Sequence, residues 1–315
     1  SHLTAEQLDL LTSFISKYDQ AISKPDDPLG KFNLFQININ LMPGKDVTQH
    51  KRNTNWSLAE KDINNMLDLG IVSENLSNDV SDIANLLVVS KTSRLTRADK
   101  QEKKKSANTS NQYLASQDMD NKTNTDETQT HRVVIDFSDL NQKSLGRKYI
   151  SLQNNQEIIN NLSDCYLSSI DLTQFFHQLP LDQQSRHKFN FYWKDKILSY
   201  NVLTQGHRES PFFSTVATKL TFSQEGLKLF LQEHPELQNE PVFQVSDPSS
   251  FCSFYIDDGL FYSRKELGWR AHFHLIHYAL WSFAKVNLKV NLNKCSFLVQ
   301  QVKFLGIHIN TNANV

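Results

Sequence analysis

Asp257 and Asp258 stand side by side between two apolar, β-prone arms, Phe254-Tyr255-Ile256 and Leu260-Phe261-Tyr262. Adjacent carboxylates repel and raise one another's pKa unless a cation neutralises them, so the pair reads as a divalent-metal ligand. A plainer reading is a hairpin, because Asp258-Gly259 between such arms is a strong turn signal. Both readings hold together if the turn exposes the carboxylates at a sheet edge. A third carboxylate, Asp171, closes a strand-like run from Tyr166 to Ile170 and precedes a helical run from Leu172 to Leu179. It reads either as a helix N-cap or as a carboxylate set beside Asp257. If the two strands are neighbours in one sheet, three carboxylates converge. Two-metal phosphoryl transfer needs that arrangement: one ion lowers the pKa of the attacking hydroxyl and the other steadies the leaving pyrophosphate.

The elements that must position these residues follow from apolar spacing. Helices are expected over Thr4 to Ile22, Ser57 to Leu69 (closed by Gly70), Pro211 to Glu233 (opened by Pro211) and Leu267 to Phe283. Strands are expected over Phe32 to Leu41, Leu86 to Val89, Val133 to Ile135, Leu198 to Leu203 and Val302 to Ile309, with strands on both sides of a turn between Phe251 and Tyr262. Strands alternating with helices, some joined by hairpins, imply a mixed α/β sheet backed by helices on one face. From Thr92 to Thr130 the composition turns to Lys, Asn, Ser, Thr, Asp and Gln. Such a segment buries too little to offset its ordering entropy and is expected to be a disordered insertion.

Bulk composition excludes little. Of 315 residues, 39% are hydrophobic, enough for a core, and 33 Lys plus Arg against 34 Asp plus Glu give no global sign of a polyanion partner. Nucleic acid must therefore be argued from local sites. The three cysteines, Cys165, Cys252 and Cys295, are too scattered for a disulfide framework, which suits a reducing compartment. No apolar run approaches the roughly 20 residues that cross a bilayer, so the chain is expected to be intracellular and cytoplasmic, with no membrane partner. His272, His274 and His277 invite a zinc reading, but only His274 and His277 share a helical face and no cysteine or carboxylate completes a site.

Six motifs in order resemble those of reverse transcriptases of the Ty3/gypsy retrotransposon and retrovirus group, over almost the whole chain. Tyr255-Ile256-Asp257-Asp258 resembles the family's aromatic-x-Asp-Asp hairpin, and Ser169-Ile170-Asp171 through Leu179 its first carboxylate motif. Arg132 to Asn141 is similar to a fingers strand. Leu203-Thr204-Gln205-Gly206 with Ser210-Pro211 is similar to the loop facing template and nucleotide. Leu292 to Phe297 and Lys303-Phe304-Leu305-Gly306 resemble the last two palm motifs and complete the six; beyond these, Leu67 to Val72 followed by a strand and Lys91 resembles the entry into the fingers.

The resemblance implies a right-hand polymerase fold of α/β (α+β) class: fingers, and a ferredoxin-like palm with a mixed, largely antiparallel sheet backed by helices. It implies an N-terminal segment and the start of the fingers over 1–90, the polar insertion over 91–131, fingers over 132–165 with a return at about 180–204, and palm over 166–315. Thumb, connection and RNase H are expected to lie elsewhere, in a longer polyprotein with integrase; the first residue, Ser1, fits a processed piece. The implied activity is RNA-directed DNA synthesis on an RNA or DNA template, from a DNA or RNA primer and dNTPs.

Its implied site has Asp171 and Asp257 binding two magnesium ions (Mg2+, with Mn2+ as a substitute), the Leu172 carbonyl as a further ligand and Asp258 assisting. Phe176 falls where the family keeps an aromatic gate under the sugar, where a ring clashes with a 2′-hydroxyl. Gln205, Arg132 and Lys91 are the implied nucleotide contacts, guanidinium suiting phosphate. Lys294 is the implied general acid for pyrophosphate, and Phe304, Leu305 and Gly306 the implied primer grip. Gly259 stands where a β-branched residue is commoner and is expected to loosen the hairpin. Two rival readings are a non-catalytic, domesticated nucleic-acid-binding remnant and an RNA-templated RNA polymerase. The intact carboxylates oppose the first and the aromatic at 176 opposes the second.

Overall fold

Thr4 opens the first helix through a reciprocal cap: its Oγ1 accepts from the Gln7 N–H at 3.3 Å, and the Gln7 side-chain oxygen accepts from the Thr4 N–H at 2.9 Å. The computed structural model describes residues 2–25, 27–42, 54–77, 80, 83–90, 131–145, 162–245 and 247–311. The polar insertion and Lys91 lie outside them.

In chain order the elements are α1 (Ala5–Lys17), α2 (Glu60–Asp68), β1 (Val72–Glu74), β2 (Ile83–Ser90), β3 (His131–Asp136), α3 (Ser138–Lys143) and β4 (Cys165–Asp171). After α4 (Gln183–Arg186) come β5 (Asn190–Trp193), β6 (Lys196–Tyr200), α5 (Ser210–Thr221), α6 (Gln224–Glu233), β7 (Cys252–Tyr255) and β8 (Asp258–Arg264). The series closes with α7 (Gly268–Lys285), β9 (Ser296–Val299), β10 (Gln301–Phe304) and β11 (Ile307–Asn310). Gly70 ends α2 as its sequence implies. At φ 66° its N–H bonds the Leu67 carbonyl while the Ile71 N–H reaches back to Met66, a pattern that needs a left-handed residue.

One sheet has the order β1-β6-β5-β2-β3, parallel only between β2 and β5. A second, wholly antiparallel sheet runs β7-β8-β4-β9, and β10-β11 form a separate hairpin. Helix α7, buried almost continuously from Ala271 to Phe283, is the spine behind the second sheet. Phe222 links spine and sheet, with ring contacts to Phe254, Phe261, Tyr278 and Phe283. A smaller cluster of Leu167, Leu260, Tyr262, Phe304 and Ile309 ties the β10-β11 hairpin to β4 and β8. The mixed, largely antiparallel architecture with helical backing agrees with the sequence reading. Among the described residues no helix is long and apolar enough to cross a membrane.

Several local expectations are corrected. Phe32 to Leu41 joins no ladder; it makes isolated bridges at Ile37 and Leu41, and Ile37 and Ile39 are buried by tertiary packing. Leu172 to Leu179 is not an α-helix. Leu172 bridges Val290, Gln174 takes φ 43°, and only a 3-10 turn over Phe175–Gln178 follows. The long helix from Pro211 breaks at Phe222, because Ser223 turns extended and caps α6 by accepting from the Gly226 N–H. Val302 to Ile309 folds into two strands around Leu305-Gly306, both with positive φ.

Candidate active site

The hairpin turn is Ile256-Asp257, not Asp258-Gly259. Tyr255 pairs with Asp258 and Phe254 with Gly259, so Asp258 and Gly259 already belong to β8. Ile256 takes φ 59°, an unfavourable conformation for a β-branched residue that neighbouring structure must enforce. One such restraint is the Leu172 N–H, which donates to the Asp257 carbonyl at 3.2 Å. A second correction concerns Gly259. A Cβ there would lie 2.5 Å from the Phe254 ring, so the glycine admits the ring and seals the hairpin instead of loosening it.

Strand register then sets the carboxylates. Asp171 and Asp258 are direct partners across β4 and β8, and Asp257, expected beside Asp171, lies in the adjoining turn, where its carbonyl accepts from the Leu172 N–H. Burial pushes the Asp171 carboxyl above the usual carboxylate range against the pull of Lys294, and Asp257 adds to the rise. Asp258 is raised by desolvation, then by the charges of Asp257 and Asp171. The Lys294 Nζ stands 3.4 Å from Asp171 Oδ1, on a side chain that is 65% exposed. The Asp171 main chain is held as well, its carbonyl accepting from the Asn291 N–H at 2.9 Å.

Among the described residues no three or more His, Cys, Asp or Glu side chains gather closely enough to form a metal cage. The residues nonetheless fit a hard divalent cation. Asp171 Oδ1 is buried without a hydrogen bond, and all three carboxylates feel one another electrostatically. Lys294 supplies the positive charge in this arrangement. Leu172, the other expected ligand, is buried one residue past the end of β4, in its bridge to Val290.

The remaining sequence-predicted residues surround this point unequally. Phe176 is half-buried in the 3-10 turn five residues beyond Asp171, while its neighbour Phe175 is core. Gln205 is exposed on a loop where Gly206 takes φ 89°. Arg132 is exposed in β3 opposite Val89. Phe304 ends β10 and Leu305-Gly306 turns the chain into β11, with Phe304 buried against Leu167 of β4 and Leu260 and Tyr262 of β8, on the face that also carries Asp171 and Asp258.

Asn141 was not given a role by the sequence. Its Nδ2 donates to the Gly206 carbonyl and its Oδ1 accepts from the Arg208 N–H, both at 2.8 Å, so it fastens the Gln205 loop to α3. No periodicity marks such a residue. The histidines of α7 part company: His272 bonds Ser168 and Ser263, His277 bonds Tyr18, and His274 faces Glu240.

A family model described as reverse transcriptase (RNA-dependent DNA polymerase) matches residues 97–309. The chain belongs to the reverse transcriptase family. Among its relatives, the retrovirus-related Pol polyprotein from transposon 297 of Drosophila melanogaster is 31% identical over 182 residues, covering 58% of this chain and 15% of that protein. The enzymatic polyprotein of figwort mosaic virus is 22% identical over 180 residues, covering 57% and 23%. The fold resembles the foamy viral protease-reverse transcriptase solved with an RNA/DNA hybrid, at TM-score 0.67 and 18% identity, over 99% of this chain and 34% of that one. A second structure of that viral protein, with double-stranded DNA, gives TM-score 0.69 at 18% identity over 99% and 44%. The matched stretch of this reverse transcriptase chain thus spans less than a quarter of the length of those two polyproteins.

Proposed function

We propose that this chain is the fingers and palm of an RNA-directed DNA polymerase that extends a primer on an RNA or DNA template with dNTPs. The observation that carries the reading is the cross-strand pair Asp171–Asp258, with Asp257 in the adjoining turn, inside a chain of the reverse transcriptase family. The β7-β8-β4-β9 sheet with α5 and α7 serves as the palm and the five-stranded sheet as the fingers. RNase H and integrase are the expected companions in a longer polyprotein, acting inside the cell.

Asp171, Asp257 and Asp258 would hold magnesium, which when bound supplies Lewis-acid activation of the primer hydroxyl and neutralises charge on pyrophosphate. The chain's own groups do the rest. Phe176 lies under the sugar and excludes a 2′-hydroxyl, Gln205 meets the incoming nucleotide or template, and Arg132 meets its phosphates. Lys294 gives a proton to the departing pyrophosphate, and the Phe304-Leu305-Gly306 turn holds the primer end.

Primer extension on an RNA template tests this. Wild-type protein should incorporate dNTPs, and Asp171→Asn or Asp258→Asn should lower incorporation by about 10²-fold or more, the scale of losing one electrostatic stabiliser. Incorporation that survives both substitutions sinks the reading, as does a folded protein that binds template-primer without extending it.

A further inference from the structure

Gln178 is fully buried, yet every polar group of its side chain is engaged. Its Nε2 donates to the Thr173 carbonyl at 2.6 Å and to the Lys289 carbonyl at 3.0 Å, and its Oε1 accepts from the Lys289 N–H at 2.7 Å. The first bond closes residues 173 to 178 into a ring. The other two make the amide imitate a strand neighbour of Lys289, whose carbonyl also accepts from the Thr173 N–H at 3.0 Å. Phe176 rides on this ring and has no ladder of its own: its carbonyl accepts from Leu179, and its side chain is only half-buried.

A buried amide with both partners on main chain is costly to disturb, because removing it leaves buried groups unsatisfied. Gly30 shows how closely it is seated. A Cβ at residue 30 would collide with Gln178 Oε1 and stand 2.5 Å from the Asn287 carbonyl oxygen.

We propose that Gln178 is the positioning residue for sugar discrimination, fixing the height of the Phe176 ring by clamping its turn to Lys289. The proposal rests on the reading of Phe176 as the gate under the sugar. A ring rejects a 2′-hydroxyl only where it cannot recede, and a displacement near 1 Å is enough to change selectivity strongly. The clamp therefore governs which sugar enters, whereas the carboxylates govern whether reaction occurs.

The test is the ratio of kcat/KM for a dNTP to that for the matching rNTP, in wild type, Gln178→Met, Gly30→Ala and Phe176→Val. This ratio does not depend on how much of a preparation is folded, so partial loss of stability cancels. The expected result is a fall of about tenfold or more in Gln178→Met and Gly30→Ala, carried mainly by a lower KM for the rNTP. A Phe176→Val, Gln178→Met double variant should be no less selective than Phe176→Val alone. A ratio within about twofold of wild type in both clamp variants overturns the proposal. So does loss of all incorporation in both, since Gln178 would then serve the fold and not the sugar. If Phe176→Val itself leaves the ratio unmoved, the gate reading fails, and with it the premise; if it shifts the ratio while the clamp variants do not, only the clamp fails.

Discussion

The ring of Phe254 lies over Gly259 on the neighbouring strand and stacks on Phe222 at 4.8 Å, so a backbone position one residue from Asp258 is roofed by an aromatic pair. The ring also meets Phe261 and Phe283, which leaves it little freedom to swing aside. Gly259→Val should therefore destabilise the fold by about 1–3 kcal/mol, the usual range for overpacking. Urea denaturation measures this, and an unchanged midpoint would mean the ring yields. Primer extension should fall with it, because Asp258 moves with the strand.

Asn141 tests the loop that presents Gln205. Asn141→Ala removes a donor to Gly206 and an acceptor for Arg208. It should raise the KM for dNTP by roughly tenfold while changing kcat less, the signature of lost binding. Steady-state kinetics at saturating template-primer decide it.

Lys294 touches Asp171 and is solvent-exposed. If it protonates pyrophosphate, Lys294→Gln should slow single-turnover incorporation by about 10²-fold or more, within the range of general acid catalysis. A variant with the wild-type single-turnover rate would leave Lys294 as a counter-ion only.

His272 is buried between Ser168 of β4 and Ser263 of β8, and burial holds its pKa down at about 3. Burial likewise lowers His277 to about 3 and His207 to about 4. Each is neutral in the fold but takes up a proton when unfolded below about 6.5. Their stabilising contribution is therefore complete above that pH and is lost as pH falls toward 3, at up to about 1.4 kcal/mol per unit per histidine. His272→Gln should make the urea-measured stability less steep over that window. An unchanged slope would show that His272 does not titrate on unfolding.

Much of the site was legible because its residues are local in sequence. Tyr255-Ile256-Asp257-Asp258 announces a hairpin from β-prone arms and adjacent charge, and Asp171 ends a strand whose pattern is apolar on its own. Gly70 and Pro211 fall where their backbone constraints put them, at a helix end and a helix start. The errors have a common form. Asp258-Gly259 carries the strongest local turn signal, yet the ladder to β4 and the Phe254 ring take both residues into β8. Leu172 to Leu179 has helical spacing, yet the bridge to Val290 and the Gln178 clamp compete for the same backbone and win.

By itself, then, the sequence determined which chemical groups exist, which elements carry them and in what order, since these depend on residue type and short-range periodicity. Only the tertiary structure decided that Asp258 is the partner of Asp171, that Gly259 makes room for a ring and that Gln178 reaches Lys289. The reason is physical: the register of β4 on β8, the seating of the Phe254 ring over Gly259 and a hydrogen bond across 111 positions are fixed by packing many segments at once, and no single segment contains that information.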